Sequence, residues 1–408
     1  MRRVVITGMG AITPLGNSIS EFSSGIFSGR NGISNITKFD STDFSVKLAA
    51  EVKDFDGSEI FGGPTARRMD LFTQYACKAA KEAVADSGII GSLAPERLGV
   101  YVGSGIGGMR TFEVEYEKLL EKGPRRVSPF FVPMLISNMA AGLIAIEHNA
   151  KGPTLPVVTA CATSTNQIGE AYRSIKHGYS DAIIAGGAEA AIIKTSMAGF
   201  SSCMALSTTE DPNSASIPFD KRRSGFVMGE GSGIIVMEEY EHAKARGAKI
   251  YAEIVGYGNT CDAYHITAPI PDGSGAAMAM KLAIEEGGLV GISNLYINTH
   301  GTSTPLNDKT ETMAIKKAFG EKASSLAISS TKSMTGHMLG AAGAVEAIAT
   351  ILALKEGILP PTIGYKEFDP ECDLDIIPNT ARNKQVDCAI SVSLGFGGHN
   401  AVIAFKPV

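Results

Sequence analysis

A chain of 408 residues, 44% hydrophobic and 19% charged with a formal net charge of −5, has the make-up of a globular protein of roughly two to three domains. The acid-leaning balance excludes a general nucleic-acid footprint, and no apolar run reaches the ~18 residues of a membrane span. Six cysteines (Cys77, Cys161, Cys203, Cys261, Cys372, Cys388) without a Cys-x-x-Cys pair argue for a reducing compartment and against a disulfide framework or zinc ribbon.

The first element is a buried strand from Val4 to Gly8, too short for a signal peptide, so the protein reads as cytoplasmic or as a mature organellar form. It runs into Gly8-Met9-Gly10-Ala11-Ile12-Thr13-Pro14-Leu15-Gly16, which invites a dinucleotide-binding reading, because a glycine turn after a first strand can hold a pyrophosphate. Against it, Pro14 falls in what would be the phosphate-binding helix, and no acidic residue closes a second strand about 20 residues on. Helical spacing follows over Leu71 to Ser87, with Phe72, Tyr75, Ala76, Ala79 and Ala83 on one face. The strand Gly99 to Val102 leads to Gly103-Ser104-Gly105-Ile106-Gly107-Gly108, a literal G-x-G-x-x-G that also lacks the downstream acid. A charged helix over Arg110 to Glu121, an apolar loop over Ser128 to Pro133 and a small-residue helix over Met139 to His148 come next.

Val157-Val158-Thr159-Ala160-Cys161-Ala162-Thr163-Ser164-Thr165-Asn166 then reads as a strand, a tight elbow and a helix that closes at Lys176-His177-Gly178. Cys161 sits near a helix N-terminus, where unpaired amides and the helix dipole favour an anion and lower a thiol's pKa. A lone cysteine is more often a small buried hydrophobe, so the case depends on its company.

Beyond it come a buried strand Asp181 to Glu189, irregular segments Ser216 to Asp220 and Gly225 to Gly233, a strand to Glu238 and a charged helix to Gly247. Near Tyr251 the pattern starts over. Ala252 to Gly258 repeats the strand and Gly-x-Gly of residues 4 to 10, and Leu295 to Gly301 repeats Val100 to Gly105. Ala327 to Thr331 with Gly340 to Leu354 repeats Val157 to His177, and Ala389 to Gly395 stands in for Ala182 to Gly186. Two stacked copies of one α/β unit are expected, residues 1–250 and 251–408, with strand-end loops meeting in a shared site.

Those loops carry the chemistry. His300 lies in Asn298-Thr299-His300-Gly301-Thr302-Ser303-Thr304-Pro305, with Asp308 eight residues on, and His337 opens a glycine- and alanine-rich helix that carries Glu346. Either histidine alone reads as structural; two of them at equivalent strand ends, with a cysteine at a third, read as a site. Zinc could use such a set, yet no two lie at chelate spacing and no fourth ligand suggests itself. Covalent thioester chemistry fits better: a thiolate takes an acyl group, and two imidazoles donate hydrogen bonds to an oxygen as negative charge grows on it.

Four motifs, Thr159-Ala160-Cys161, His300 to Pro305, Lys332-Ser333-Met334-Thr335-Gly336-His337 and Gly395-Phe396-Gly397-Gly398, together resemble the signatures of the β-ketoacyl-acyl-carrier-protein synthases, most closely the type II enzyme that elongates fatty acids. The resemblance covers the whole chain. It implies a thiolase-type fold, two β-α-β-α-β-α-β-β halves in a five-layered αβαβα arrangement, and a homodimer. It implies Cys161 as the acyl-accepting nucleophile, backbone amides of Cys161 and Phe396 as the oxyanion donors, and His300 and His337 as donors to the enolate of malonyl-carrier protein. Lys332 matches an electrostatic support of the histidine loop, and Asp308 and Glu346 match acids that fix it. Thr302 and Thr304 match the hydroxyls that bind the pantetheine arm, and Ile106 and Phe396 match gates of the acyl pocket. No cofactor or metal is implied, since substrates arrive as phosphopantetheine thioesters. The basic pairs Arg67-Arg68 and Arg125-Arg126 would meet the acidic carrier protein.

Three positions depart from the pattern: His399 where many relatives have threonine, Ala268 for a serine near the pantetheine channel, and Asn307 for a glycine. Two rivals share the fold. A non-catalytic partner subunit would lack the cysteine, which is present here, and a thiolase would carry a second cysteine in the Gly395 to Asn400 loop, where none stands.

Overall fold

The computed structural model describes residues 1–408. Its main elements are β1 Val4–Ile12, α1 Leu71–Ser87, β2 Leu98–Gly103, α2 Met109–Lys122, α3 Met139–Glu147, α4 Thr163–Lys176, β3 Ala182–Glu189 and β4 Gly231–Glu239. The second half supplies β5 Ala252–Cys261, α5 Ser274–Glu286, β6 Leu295–Asn298, α6 Pro305–Phe319, β7 Ala327–Ser329, α7 Ala342–Glu356, β8 Cys388–Gly395 and β9 His399–Lys406.

Nine strands hydrogen-bond in the order β2-β3-β4-β1-β5-β9-β8-β6-β7. The pairing repeats across the middle. β2 and β3 run parallel, as do β6 and β8, while β3/β4 and β8/β9 are antiparallel, as are β4/β1 and β9/β5. The two sets meet only where Val4, Val5 and Ile6 pair with Ile254, Glu253 and Ala252. A single short seam therefore joins two half-sheets that part beyond it, leaving room for helices between them.

α4 and α7 fill that space, α4 against β3 and β9, α7 against β4 and β8, and each against the other. α7 has no polar face to show, because every residue from Ala342 to Leu354 is buried, and its small side chains let two sheets approach one helix. α1 and α5 cover the outer faces. Separate cores follow from this layering: one under α1 and α3, a central one around α4 and α7, and one under α5 and α6.

The glycine pairs in β1 and β5 owe their presence to packing. A methyl group at Gly8 or Gly10 would strike the carbonyls of Ala83 and Ala79 in α1, and one at Gly256 or Gly258 would strike those of Ala283 and Ala279 in α5. Alternate strand residues thus lie against alanines one helical turn apart. The same contact in both halves disposes of the phosphate-binding reading of residues 8–16.

One expected strand is not formed. Residues 154–159 touch β2 through a single bridge, Val100 to Thr154, and then leave it. They lie at the open edge of the sheet beyond β2, where Leu155 and Val158 are exposed. No helix is long and apolar enough to cross a membrane.

Candidate active site

The segment before Cys161 is held by side chains instead of a ladder. Asn166 Nδ2 donates to Thr159 Oγ1 at 2.7 Å, the Tyr257 hydroxyl donates to Asn166 Oδ1 at 2.7 Å, and Gln167 Nε2 donates to Val157 O at 3.1 Å. Ala160 takes a left-handed φ of 49°, which costs a residue with a Cβ about 1–2 kcal/mol. That turn places Cys161 two residues before the first turn of α4, on the wall of a cavity of about 590 Å³.

His300 and His337 line the same cavity, their rings 5.2 Å apart and nearly perpendicular. His300 follows β6, and its own N–H and that of Gly301 donate to the two oxygens of Glu311 at 2.7 Å each. His337 is gripped through its backbone by the glycine-rich stretch before β4, donating to Val227 O at 2.7 Å and accepting from Gly229 N at 2.9 Å. Phe226 stacks edge-on against the His337 ring at 5.2 Å, and Phe200 bridges Phe226 and Phe396 along the wall. The reacting corner is therefore apolar on one side and bears imidazoles on the other.

Lys332 is 1% exposed and forms a buried ion pair with Glu346, while its Nζ lies 3.4 Å from His300 Nδ1. An ammonium can only donate, so Nδ1 must accept and the ring proton sits on Nε2. Burial, Lys332 and His337 hold His300 well below the ordinary imidazole range; burial and Lys332 do the same to His337. Both rings are neutral at physiological pH. Burial raises the Glu346 carboxyl to about 7 against the pull of Lys332.

The expected low thiol pKa is not found. Burial pushes the Cys161 thiol up to about 12, opposed by the Lys332 charge and by a hydrogen bond from the Phe396 N–H, so the resting sulfur is protonated. The cysteine is 9% exposed, and desolvation of its anion is the largest cause, ahead of the pull of Lys332.

Asp308 holds the far end of the His300 loop and does not touch the histidine itself. Its carboxylate accepts from Ser303 N at 3.2 Å and from Phe219 N at 2.8 Å, so it braces the far end of the loop, and Glu311 braces the histidine end. Glu311 sits three residues along α6 from Asp308, on the same buried face. Thr302, Thr304 and Phe396 line the cavity, as do the variant positions Ala268 and Asn307. Ile106 does not line it: its side chain is 38% exposed on the turn after β2. Nothing in the structure explains His399, which lies outside the lining, its ring beside Gly397.

Glu189, missed as a site residue, is fully buried and holds the turn after β2, where glycines admit a carboxylate and no nucleotide. Burial lifts Glu189 and Glu311 from 4.5 to about 7 each. The folded protein keeps a proton on each of them that the unfolded chain has lost, so this stability is present at low pH and fades as pH rises through about 7. His300 and His337 act oppositely, but only below about 6.5, where the unfolded imidazoles gain protons. The thermal midpoint at constant ionic strength should therefore climb as pH falls from about 8 to about 6.5, and a flat profile would contradict these burial shifts.

A family model described as the β-ketoacyl synthase N-terminal domain matches residues 1–243, and the model of the corresponding C-terminal domain matches residues 251–366. A relative named 3-oxoacyl-[acyl-carrier-protein] synthase 2, from Synechocystis sp., is 54% identical over 407 residues, covering 99% of this chain and 98% of its own. A solved β-ketoacyl synthase from Burkholderia phymatum matches with a TM-score of 0.92 at 37% identity, over 100% of both chains. A chain from a type II PKS acyl-carrier protein in complex with its ketosynthase, bound to the hexaketide, matches with a TM-score of 0.93 at 33% identity, again over 100% of both.

Proposed function

The chain belongs to the β-ketoacyl synthase family and is a condensing enzyme of the thiolase-type fold, and from that premise we propose how its own residues elongate an acyl chain by two carbons. The observation that carries the reading is that Cys161, His300 and His337, from three distant segments, line one cavity.

In the first half-reaction the Cys161 sulfur attacks the carbonyl of an acyl thioester carried on phosphopantetheine, whose pantetheine arm lies along Thr302 and Thr304. The tetrahedral oxyanion takes hydrogen bonds from the backbone N–H groups of Cys161 and Phe396. As the new C–S bond forms and the old one breaks, the thiol proton passes in net to the departing phosphopantetheine sulfur. Because the resting thiol is protonated, transfer is coupled to attack, which spares the enzyme a standing thiolate that oxidants or alkylating agents would consume.

Malonyl-carrier protein enters next. Its carboxylate leaves as CO₂, and the electron pair moves into an enolate whose oxygen takes hydrogen bonds from the neutral imidazoles of His300 and His337. Lys332 fixes the His300 tautomer that presents Nε2–H, a positioning duty and not acid or base work. The nucleophilic carbon attacks the acyl-Cys161 carbonyl, a C–C bond forms, the C–S bond breaks, and the sulfur regains a proton from solvent. The aromatic wall of Phe200, Phe226 and Phe396 limits water that would quench the enolate. No resident cofactor enters this scheme. Incubation with acyl- and malonyl-carrier proteins tests it: CO₂ release with a 3-ketoacyl product two carbons longer supports the reading, and cleavage of a 3-ketoacyl thioester by coenzyme A overturns it.

The partner that delivers these thioesters is an acyl carrier protein, acidic enough to meet a basic surface. Arg67, Arg68, Arg125 and Arg126 are all exposed, and the Arg68 guanidinium lies 4.9 Å above the ring of Phe130, four residues after Arg126. Reversing all four to glutamate should raise KM for the carrier substrate about tenfold or more at low salt, with the effect shrinking as salt rises. An unchanged KM would remove these arginines from the docking surface. A homodimer is supported by the exposed apolar run of Val132, Ile136, Ile146, Leu155 and Val158 beside the open sheet edge. Six free cysteines agree with a cytoplasmic setting.

A further inference from the structure

The elbow at Cys161 has a counterpart without a nucleophile. Leu339 carries a left-handed φ of 45°, as Ala160 carries 49°, and each opens a 3₁₀ turn that leads into a central helix. Gly340 therefore stands at the second elbow where Cys161 stands at the first.

Glu189, the last residue of β3, reaches this second elbow. Its Oε2 accepts from Gly340 N at 3.0 Å and Gly105 N at 2.8 Å, and its Oε1 accepts from Ser104 Oγ at 2.6 Å and Ile106 N at 3.4 Å. Four donors from two loops converge on one side chain, and only a carboxylate can accept from all of them. The packing leaves no slack, since a methyl at Gly340 would strike the Gly105 nitrogen and one at Gly105 would come within 2.7 Å of Glu189 Oε2. Both loops adjoin the reacting centre: a methyl at Gly105 would lie 3.5 Å from Ala160 O, and Leu339, two residues after His337, lines the cavity.

We propose that Glu189 is a positioning residue for condensation, a carboxylate clamp that ties the Ser104–Ile106 turn to the elbow after His337 and so sets where His337 stands relative to the acyl-bearing sulfur. The inference rests on the condensation reading above. A buried carboxylate with no cationic partner is costly, and a strut needing fewer acceptors could have been glutamine. Once ionised, above about pH 7, its charge also opposes ionisation of Cys161, in the same sense as Glu346 and against Lys332.

That proximity supplies a diagnostic for Glu189→Gln. The amide turns one acceptor into a donor aimed at N–H groups, which releases one loop, and it removes the negative charge. The condensation kcat should fall roughly tenfold or more, while alkylation of Cys161 by iodoacetamide at a fixed pH about one to two units above 7, where Glu189 is ionised, becomes faster. A merely structural loss would lower the fraction of folded protein and leave kcat per alkylatable Cys161 unchanged. Ser104→Ala removes one donor, keeps the charge and should lower kcat by about three- to tenfold without speeding alkylation. Wild-type kcat in Glu189→Gln, or alkylation that slows in step with condensation, overturns the proposal. Should melting curves show that Glu189→Gln does not fold, an unchanged kcat in Ser104→Ala overturns it instead. Wild-type protein assayed in parallel separates the two readings, because only its own failure to condense would count against the proposed function.

Discussion

Alanine in place of Cys161 should abolish condensation, by more than about 10⁴-fold, yet leave the protein able to release CO₂ from malonyl-carrier protein. The two halves of that outcome have different owners. The acyl chain has nowhere to reside without the sulfur, so no electrophile meets the carbanion. The enolate donors are untouched: His300 is held by Glu311 and Lys332, His337 by Val227 and Gly229, and none of these contacts passes through residue 161. Stability should change little, about 1 kcal/mol or less, because one small buried group gives way to a smaller one. Intact-protein mass spectrometry after exposure to acyl-carrier protein would show no adduct, and a CO₂ assay would show persistent decarboxylation. An acyl adduct on the alanine variant would end the case for Cys161. Loss of decarboxylation in proportion to condensation would mean that the histidines do not hold the enolate by themselves.

How much of this was legible beforehand depends on where each constraint leaves its mark. The repeat was visible because strand–helix packing writes itself into both partners: Gly8 and Gly10 face Ala83 and Ala79, and Gly256 and Gly258 face Ala283 and Ala279, so the spacing recurs. The elbow at Cys161 and the loops at His300 and His337 were visible because sharp turns beside buried strands demand small residues on both sides. Glu311 and Glu189 were hidden for the opposite reason. Their partners are backbone amides, which every residue possesses, so nothing at position 300, 301, 105 or 340 announces a carboxylate. The thiol's basicity is not legible in the same way: a helix end can be read from a pattern, whereas desolvation depends on all the chain that closes over the sulfur. Ile106 was assigned to the cavity by its motif, yet the Glu189 clamp acts on the backbone of its turn and leaves the side chain partly in solvent.

Methionine at position 332 should cost about 3–5 kcal/mol of stability, since it strands the Glu346 carboxylate in a site with no other cation hydrogen-bonded to it. Adding Glu346→Gln should restore most of that loss, because an uncharged pair of similar volume need not be worse than a buried ion pair. Activity should follow a different course. Without an ammonium at Nδ1, the His300 proton can move to that nitrogen, and the ring then turns a lone pair toward the enolate where it had offered N–H. Condensation is expected to fall by about 10²–10³-fold in the single variant, and to stay low in the double variant although its stability returns. The thiol gives an independent sign. Lys332 favours the Cys161 thiolate, so its removal raises the thiol pKa further and slows iodoacetamide alkylation at any fixed pH, opposite to the effect expected from Glu189→Gln. Denaturant melts, a condensation assay and an alkylation pH profile on the same pair of variants would check all three. Recovery of activity together with stability in the double variant would reduce Lys332 to a structural counter-ion, and the tautomer argument would fail with it.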